Sequence, residues 1–599
     1  MRIGLYTNGT VQDRTLTKPG CQRYTNELIR VFLRRYAHAA HDAGALKRSF
    51  ALQKPVTDVS HKGFSIGSFF AGALLLLCAL TFYYFAVLRI DYSKTMMLDL
   101  GPHPDATEYF AQAKALERHG WPSIQIGYEK LPSRPPFGYP VLMLPWLKML
   151  SDADAVLAPF RTNQTLGLLL LLAVFAFYAY LAMPLTGGFA VLLLATLPGF
   201  FTFCRSSLSD VSASLLNVLA FMFAYLGVKE ERRWKIYLSA VLLGLSLNVR
   251  IQSLLFAPLL LAMALFPMRG VRWRWLLHCA VLPVVFILAA GPLLVLNTIQ
   301  FHSPFKTGYD FWAPFFKEHH LLFSLRYIPN NAINLWKEFT VQPLGYHTAN
   351  IFGTGTSFVP TFLLLVCIGL FFIRIDRFVI CAFPAGLTFL AVVLSHNDKL
   401  VDIRYYLPLL ILLVAVAVLP VTWAAQNILA GRRVLTAAAV FVLFGAACLG
   451  FPSRSGYNTR EIDRLQAWDA LHFGSPPRQS TGFIAQGRFL EDFGKQPGIV
   501  LSDIDPVYLN SFFPSWIVAA PLDGQHRYKW SYRWRYGQPQ ALALVEHGLQ
   551  ENEAVYALFV SRQEREEKMV RLPHVDGYEW VLAEDPTAEA AILKLSPGS

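Results

Sequence analysis

Apolar residues recur in eleven runs, at about 64–88, 164–182, 186–203, 211–228, 236–249, 251–267, 276–296, 358–373, 378–395, 407–428 and 434–451. Many approach the roughly 20 residues that a helix needs to cross a hydrocarbon core. Short basic clusters separate some of them: Lys229-Glu-Glu-Arg-Arg-Trp-Lys235, Met268-Arg-Gly-Val-Arg-Trp-Arg-Trp275, Arg374-Ile-Asp-Arg377 and Gly431-Arg-Arg433. Basic loops stay cytoplasmic, which makes the number of crossings between neighbouring clusters even. Length and charge conflict only at Ile236 to Phe266. As one helix that stretch would be about 45 Å long, against a core of about 30 Å. It would also carry Arg250 near the bilayer centre, costing at least about 2.5–3.5 kcal/mol. The pattern therefore predicts a hairpin with its apex at Asn248–Arg250.

The expected fold is a polytopic α-helical membrane protein with about eleven transmembrane helices. Amphipathic juxtamembrane helices are expected in its first loop, and a soluble α/β domain at its C-terminal end. Residues 1–63 hold 11 Lys/Arg against 4 Asp/Glu and read as a basic cytoplasmic segment. The run at 64–88 is too long for a signal-peptide core and lacks a small-residue cleavage site, so it reads as a retained helix. Residues 64–451 read as the transmembrane domain, with a first noncytoplasmic loop at 89–163. Residues 452–599 read as a periplasmic α/β domain. Buried strands are expected at Pro497–Ser502, Trp516–Ala520 and Val555–Val560, and an amphipathic helix at Gln538–Leu549. The reading places the chain in a bacterial inner membrane, N-terminus cytoplasmic and C-terminus periplasmic.

Composition agrees. Of 599 residues, 54% are hydrophobic and 16% charged, whereas soluble chains carry about 25% charged residues. The net charge of +13 would suggest nucleic acid if it were spread over a soluble surface. It is concentrated between apolar runs, so membrane lipid is the expected partner and nucleic acid is not. The seven cysteines form no Cys-x-x-Cys pair, which argues against a disulfide framework or a zinc site. No Walker loop or dinucleotide fingerprint occurs.

The first loop is the most informative segment. It contains Gly101-Pro-His-Pro-Asp-Ala-Thr-Glu-Tyr-Phe-Ala-Gln-Ala-Lys-Ala-Leu-Glu-Arg-His-Gly120. Asp105 is expected to precede a helix whose apolar face, Tyr109, Ala113 and Leu116, lies on the membrane surface. Asp105 followed by Glu108 also fits a capping box, worth about 1 kcal/mol. A cap does not explain the aromatic and proline-rich return, Tyr128-Glu-Lys-Leu-Pro-Ser-Arg134-Pro-Pro-Phe-Gly-Tyr139-Pro140.

The order Pro-Asp-x-x-x-Tyr-x-x-x-Ala-x-x-Leu-x-x-x-Gly over residues 104–120, then a basic residue with prolines and Gly-Tyr, resembles the GT-C superfamily. It is most similar there to family 39-type lipid-phosphate glycosyltransferases, which include lipid A aminoarabinose transferase and the protein O-mannosyltransferases. The resemblance implies inverting transfer of a sugar from a polyprenyl-phosphate carrier to a lipid, glycan or protein acceptor on the noncytoplasmic face. It matches Asp105 to the catalytic carboxylate, Arg134 to a phosphate-binding basic residue, and Asp210 to a second acidic residue after the third span. Many members carry an acid directly after the first Asp. Here Ala106 follows, and Glu108 is the nearest acid.

Physical chemistry asks for the same parts. A carboxylate must take the acceptor's proton, and cations must stabilise charge growing on the departing phosphate. Arginine suits forked contacts with phosphate. Arg134, Lys130, Arg250 and Arg404 are the candidates at suitable depth, with Tyr109 and Tyr139 beside them. At Arg404 an interfacial anchor is an equal alternative, and Lys130 could be an ordinary loop residue. Asp105, Glu108 and Asp210 could hold a divalent cation through oxygen ligands or act alone. The alternative function is a secondary transporter or flippase of lipid-linked glycans, which would call for inverted repeats. None is visible in the hydropathy.

Overall fold

The computed structural model describes residues 6–7, 10–11, 66–89, 104–265, 272–319, 322–333, 358–373, 377–396, 403–427, 432, 434–438, 497–502, 505–522, 536–559, 562–587 and 590–598. The chain divides into two compact units, residues 1–63 and 64–599. In the first, strands β1 (Tyr6–Thr7) and β2 (Thr10–Val11) pair antiparallel.

The second unit opens with α1 (Ile66–Tyr83), extended by a π-turn at Tyr84–Leu88. The first loop then forms α2 (Pro104–His119), the hairpin β3 (Ile124–Ile126) and β4 (Glu129–Leu131), and α3 (Gly138–Met149). After it come α4 (Ala158–Tyr180), α5 (Pro184–Thr196), α6 (Pro198–Cys204), α7 (Asp210–Lys229) and α8 (Arg233–Val249). The helical part continues with α9 (Pro258–Leu265), α10 (Arg272–Phe301), α11 (Gly308–Trp312), α12 (Pro314–Glu318), α13 (Phe358–Leu370), α14 (Arg377–Ser395) and α15 (Leu407–Asn427).

Five helical stretches among the described residues are long and apolar enough to cross a membrane: Ile66–Leu88, Asp154–Tyr180, Asp210–Lys229, Leu276–Phe301 and Leu407–Asn427. Shorter apolar helices lie at Pro184–Thr196, Ile251–Ala264 and Phe383–Ser395. This is a polytopic helical membrane architecture. Small residues let its helices approach closely, as membrane helices require. A Cβ on Gly72 of α1 would collide with the backbone of Pro184 in α5, and one on Gly188 with the backbone of Gly72.

A hairpin apex was expected at Asn248–Arg250, and the helix breaks there. Helix α8 ends at Val249, Arg250 is extended (φ −154°, ψ 122°), and a 3-10 turn, Ile251–Phe256, follows. Of the apolar run at 434–451, only residues 434–438 fall among the described residues.

Near the C-terminal end the elements are β5 (Gly498–Ser502), α16 (Pro506–Phe512), β6 (Ile517–Pro521), α17 (Gln538–Gln550), β7 (Ala554–Phe559), α18 (Arg562–Lys568), β8 (Tyr578–Thr587) and β9 (Ala590–Pro597). The three strands and the helix expected from sequence coincide with β5, β6, β7 and α17 to within a residue or two. The sheet runs β6-β5-β7-β9-β8, with β5 parallel to β6 and β7, and β9 antiparallel to β7 and β8.

This sheet shares its core with the first loop. Ala111, Ile124, Ile126 and Trp312 pack in one apolar cluster with Leu501, Val507, Ala541 and Val545. The Phe110 ring stacks on Phe512 at 5.0 Å between centroids, and the backbone N–H of Gly127 donates to the Ala519 carbonyl (2.8 Å).

That packing corrects the expectation for α2. Its apolar face was expected on the membrane surface, but Tyr109 and Ala113 are buried in protein, and burial continues from Ala106 to Lys114. The face is covered by α16 and the helix bundle, whose rings fill the space assigned to lipid.

Candidate active site

Pro104 opens α2, where a missing N–H costs nothing, and Asp105 lies in the first turn of the helix instead of before it. No capping box forms between Asp105 and Glu108: the Glu108 carboxylate turns away to the return strand. Because Asp105 and Glu108 are three apart they share a helix face, and Arg134 meets both.

Glu108 is buried and fully engaged. Its Oε2 accepts from the Ser133 hydroxyl (2.7 Å) and the Arg134 backbone N–H (2.8 Å), and its Oε1 from Arg134 Nε (2.7 Å). Asp105 accepts from Arg134 Nη2 at 3.3 Å, and its side chain keeps 28% of its surface exposed against 3% for Glu108. The two acids therefore differ in kind: Glu108 buckles the Ser133–Arg134 turn, while Asp105 meets Arg134 by a longer contact and is partly exposed. Desolvation opposes charge on Arg134, but Glu108 and then Asp105 outweigh it and hold the guanidinium above its ordinary value.

The turn is braced from outside. The Trp312 indole donates to the Pro132 carbonyl (2.7 Å), and Gly308 lies so close that a Cβ there would strike the Ser133 carbonyl. Helix α11, closed by a Thr307–Asp310 capping box, thus brings Tyr309 within electrostatic reach of Asp105 and Arg134.

A second ion pair sits alongside. Asp210, at the first position of α7 and 1% exposed in its side chain, is 2.5 Å from Arg250 Nη1. Arg250 lies over the Tyr405 ring at 5.4 Å, and Ser209 Oγ lies 3.5 Å from its Nη1. Tyr109 links the two pairs. Its hydroxyl shares a hydrogen bond with Ser209 (2.6 Å), and its ring meets Tyr139 edge-on at 5.1 Å. Burial pushes the Tyr109 phenol above its ordinary value; Arg250 pulls it back, while Asp105 and Asp210 add to the rise. Tyr139 is fixed by donating to the Pro159 carbonyl (3.0 Å).

Asp105, Glu108, Tyr109, Arg134, Tyr139, Asp210 and Arg250 thus come together. Lys130 does not: it is exposed on β4 and lines a separate cleft with Arg118 and His119, at the other end of α2. Alternation along the return strand sends it there. Arg404 falls in the 3-10 turn Ile403–Tyr406, but its side chain lies outside the described residues. Sequence reasoning missed Ser133, Ser209, Tyr309 and the Gly308 brace. Only Thr307 and Asp310 leave a local sign, the capping-box spacing; the rest is tertiary contact. Among the described residues no three His, Cys, Asp or Glu side chains converge as a metal site would need. Each carboxylate of the site is instead held by an arginine.

A cavity on the far side of Arg134 is lined by Gln112, Pro135, Asn297, Gln300 and Thr307. Its polar lining is one guanidinium with amide and hydroxyl side chains.

No protein-family model and no curated protein matches the chain. Solved structures do. ArnT from Cupriavidus metallidurans bound to undecaprenyl phosphate aligns with a TM-score of 0.55 at 13% identity, covering 87% of this chain and 97% of that one. The apo state of the same protein gives 0.52 at 14% identity, with 87% and 97% covered. An oligosaccharyltransferase from Archaeoglobus fulgidus gives 0.44 at 14%, with 88% and 74% covered. The chain shares the fold of the ArnT structures. The likeness takes in nearly all of the ArnT chain and most of this one.

Proposed function

We propose that the protein is an inverting glycosyltransferase that moves a sugar from a polyprenyl-phosphate carrier to a lipid, glycan or protein acceptor. In this reading the chain crosses a bacterial inner membrane eleven times, with residues 1–63 cytoplasmic and the first loop and residues 452–599 periplasmic. The undecaprenyl phosphate on the ArnT of like fold agrees with a lipid-linked donor.

Asp105 removes the acceptor's proton as the acceptor oxygen bonds to the anomeric carbon. The bond from that carbon to the phosphate oxygen breaks on the opposite face, and the electron pair leaves with the polyprenyl phosphate. Arg134 and Arg250 take up the growing charge. The observation that carries the reading is the unequal hold on Arg134. Donor phosphate displaces the long Asp105 contact and not the triply bonded Glu108, so donor binding loosens Arg134 from the base while Glu108 keeps the guanidinium in place. Tyr109 and Tyr139 wall the site.

The test is release of undecaprenyl phosphate from a panel of undecaprenyl-phosphate sugars in membranes holding the full chain. Asp105→Asn is expected to slow transfer about 10²–10⁴-fold, the usual worth of a positioned base, with the thermal unfolding midpoint unchanged. Normal turnover by that folded variant removes the role given to Asp105. Movement of the labelled headgroup across liposomes without bond cleavage favours a flippase instead.

A further inference from the structure

The turn that leads into Asp210 is held from outside the site. Residues Arg205–Ser209 join α6 to α7, and all five are buried. A buried turn must find partners for its backbone carbonyls. Asn163, fully buried in the second turn of α4, supplies them. Its Nδ2 donates to the carbonyls of Ser206 (2.8 Å) and Leu208 (2.6 Å), and its Oδ1 accepts from Ser212 Oγ (3.5 Å) in α7. One carboxamide thus grips the chain on both sides of Ser209 and Asp210.

Ser209 shows what the grip does. It stands at the N-cap of α7, where a serine normally has extended backbone and its hydroxyl accepts from an N–H of the first helical turn. Here φ is −76° and ψ 2°, and the hydroxyl makes no capping bond. It turns instead to Tyr109 (2.6 Å) and Arg250 Nη1 (3.5 Å). The cap is given up, and the turn keeps its shape through Asn163. Asp210, one residue on, meets the same guanidinium.

The adjacent Gln164 does similar structural work elsewhere. It is buried too, and its Nε2 donates to the Val87 carbonyl (3.0 Å) in the π-turn Tyr84–Leu88. None of the residues that meet at the site belongs to that turn. Neighbouring amides on one helix therefore hold two buried stretches of chain, and only one of those stretches carries site residues.

We propose that Asn163 is a positioning residue: by fixing the Ser206 and Leu208 carbonyls it aims Ser209 and Asp210 at Arg250, and so sets that guanidinium for the phosphate as charge grows on it. This rests on the glycosyltransferase reading and on the phosphate role given there to Arg250. A donor phosphodiester carries one negative charge, whereas a phosphomonoester such as the departing group carries about 1.5 to 2 at neutral pH. Arg134 stays fixed by Glu108, so the loss of Asn163 is felt in the handling of the added charge.

The test uses the full chain in detergent with undecaprenyl phosphate as the probe, its affinity read from the rise of the thermal midpoint with probe concentration. Asn163→Ala is expected to weaken that affinity about tenfold, as loss of one charge-assisted contact does. It should lower kcat per folded molecule by about 10–100-fold, as misplacement of a charge-stabilising group does, with the donor KM changed less than about threefold. Asn163→Asp keeps the shape and, as a buried acid, one O–H donor, so it falls between. Gln164→Ala is the control: it lowers the midpoint of the free protein and leaves undecaprenyl phosphate affinity and kcat at parent values. Parent affinity and kcat in folded Asn163→Ala, or an equal loss in Gln164→Ala, makes Asn163 a packing residue and overturns the proposal. Should Asn163→Ala not fold, parent values in Asn163→Asp overturn it equally. A parent chain that binds no undecaprenyl phosphate removes the role of Arg250 and the proposal with it. Failure of the transferase reading looks different: affinity that weakens in Asn163→Ala, in a chain that transfers sugar from no donor, sinks the transfer and leaves the positioning of Arg250 standing.

Discussion

The two ends of α2 solve opposite charge problems. At the N-terminal end Asp105 and Glu108 surround Arg134, and Asp210 meets Arg250, so every full charge found there has a counterion. At the C-terminal end Lys114 is balanced by Glu117, while Arg118, His119 and Lys130 face a cleft without a carboxylate lining. Burial explains the contrast. A charge nearly closed off from water must be paired or it costs several kcal/mol, whereas a cleft open to solvent can keep an excess of one sign. The closed end reads as machinery that substrate must open, and the open end as a surface where water screens the excess.

Breaking a pair at the closed end should have the largest effect. Arg250→Ala removes the guanidinium paired with the buried Asp210 carboxylate, and loss of one partner of a buried pair costs about 3–5 kcal/mol. Thermal unfolding of the full chain in detergent should show a pronounced drop. Asp210→Asn in the same chain should recover much of it, because no charge is then stranded. An unchanged midpoint in Arg250→Ala would mean that water reaches Asp210 and that the two ends do not differ in burial.

A smaller effect separates the two acids on Arg134. Glu108→Gln keeps the shape but weakens three contacts, so a loss of about 1–3 kcal/mol is expected. The variant should transfer sugar slowly, with a raised donor KM, because Arg134 is loosened while the base survives. Asp105→Asn should show the reverse pattern, with stability kept and turnover lost. If Glu108→Gln is as stable as the parent and as inactive as Asp105→Asn, the division between buckle and base is wrong.

Which parts could be read from sequence follows the same physics. Helical spans announce themselves because lipid forbids charge over 20 residues, and the break at Arg250 announced itself because an arginine cannot sit at the core's centre. The strands β5, β6 and β7 were legible as short apolar runs bounded by turns. Asp105 and Arg134 were legible through local spacing. The placement of α2 was not, because its apolar face fits lipid or protein equally well, and only Phe512, some 400 positions away, decides between them. Lys130 misled for a related reason. It lies four residues from Arg134, yet strand alternation and the hairpin carry it to the other end of the helix. Gly308 carries no local sign at all, since its need for a missing Cβ arises from contact with Ser133.

The smallest expected effect probes the open end alone. The His119 imidazole is held below its ordinary value of 6.5, by desolvation first and then by the charges of Lys130 and Arg118. The unfolded chain therefore binds this proton more tightly than the folded one. Protonation costs stability as pH falls from the ordinary value through the folded one, and the contribution is regained above it. Lys130→Gln removes the second of these causes and should move the His119 value upward. The shift can be followed by NMR of ¹³C-labelled histidine, with His119→Asn assigning the signal. A value that ignores Lys130→Gln would mean that the positive groups of the cleft do not act on one another, and the open end of α2 would then be a surface with scattered charges.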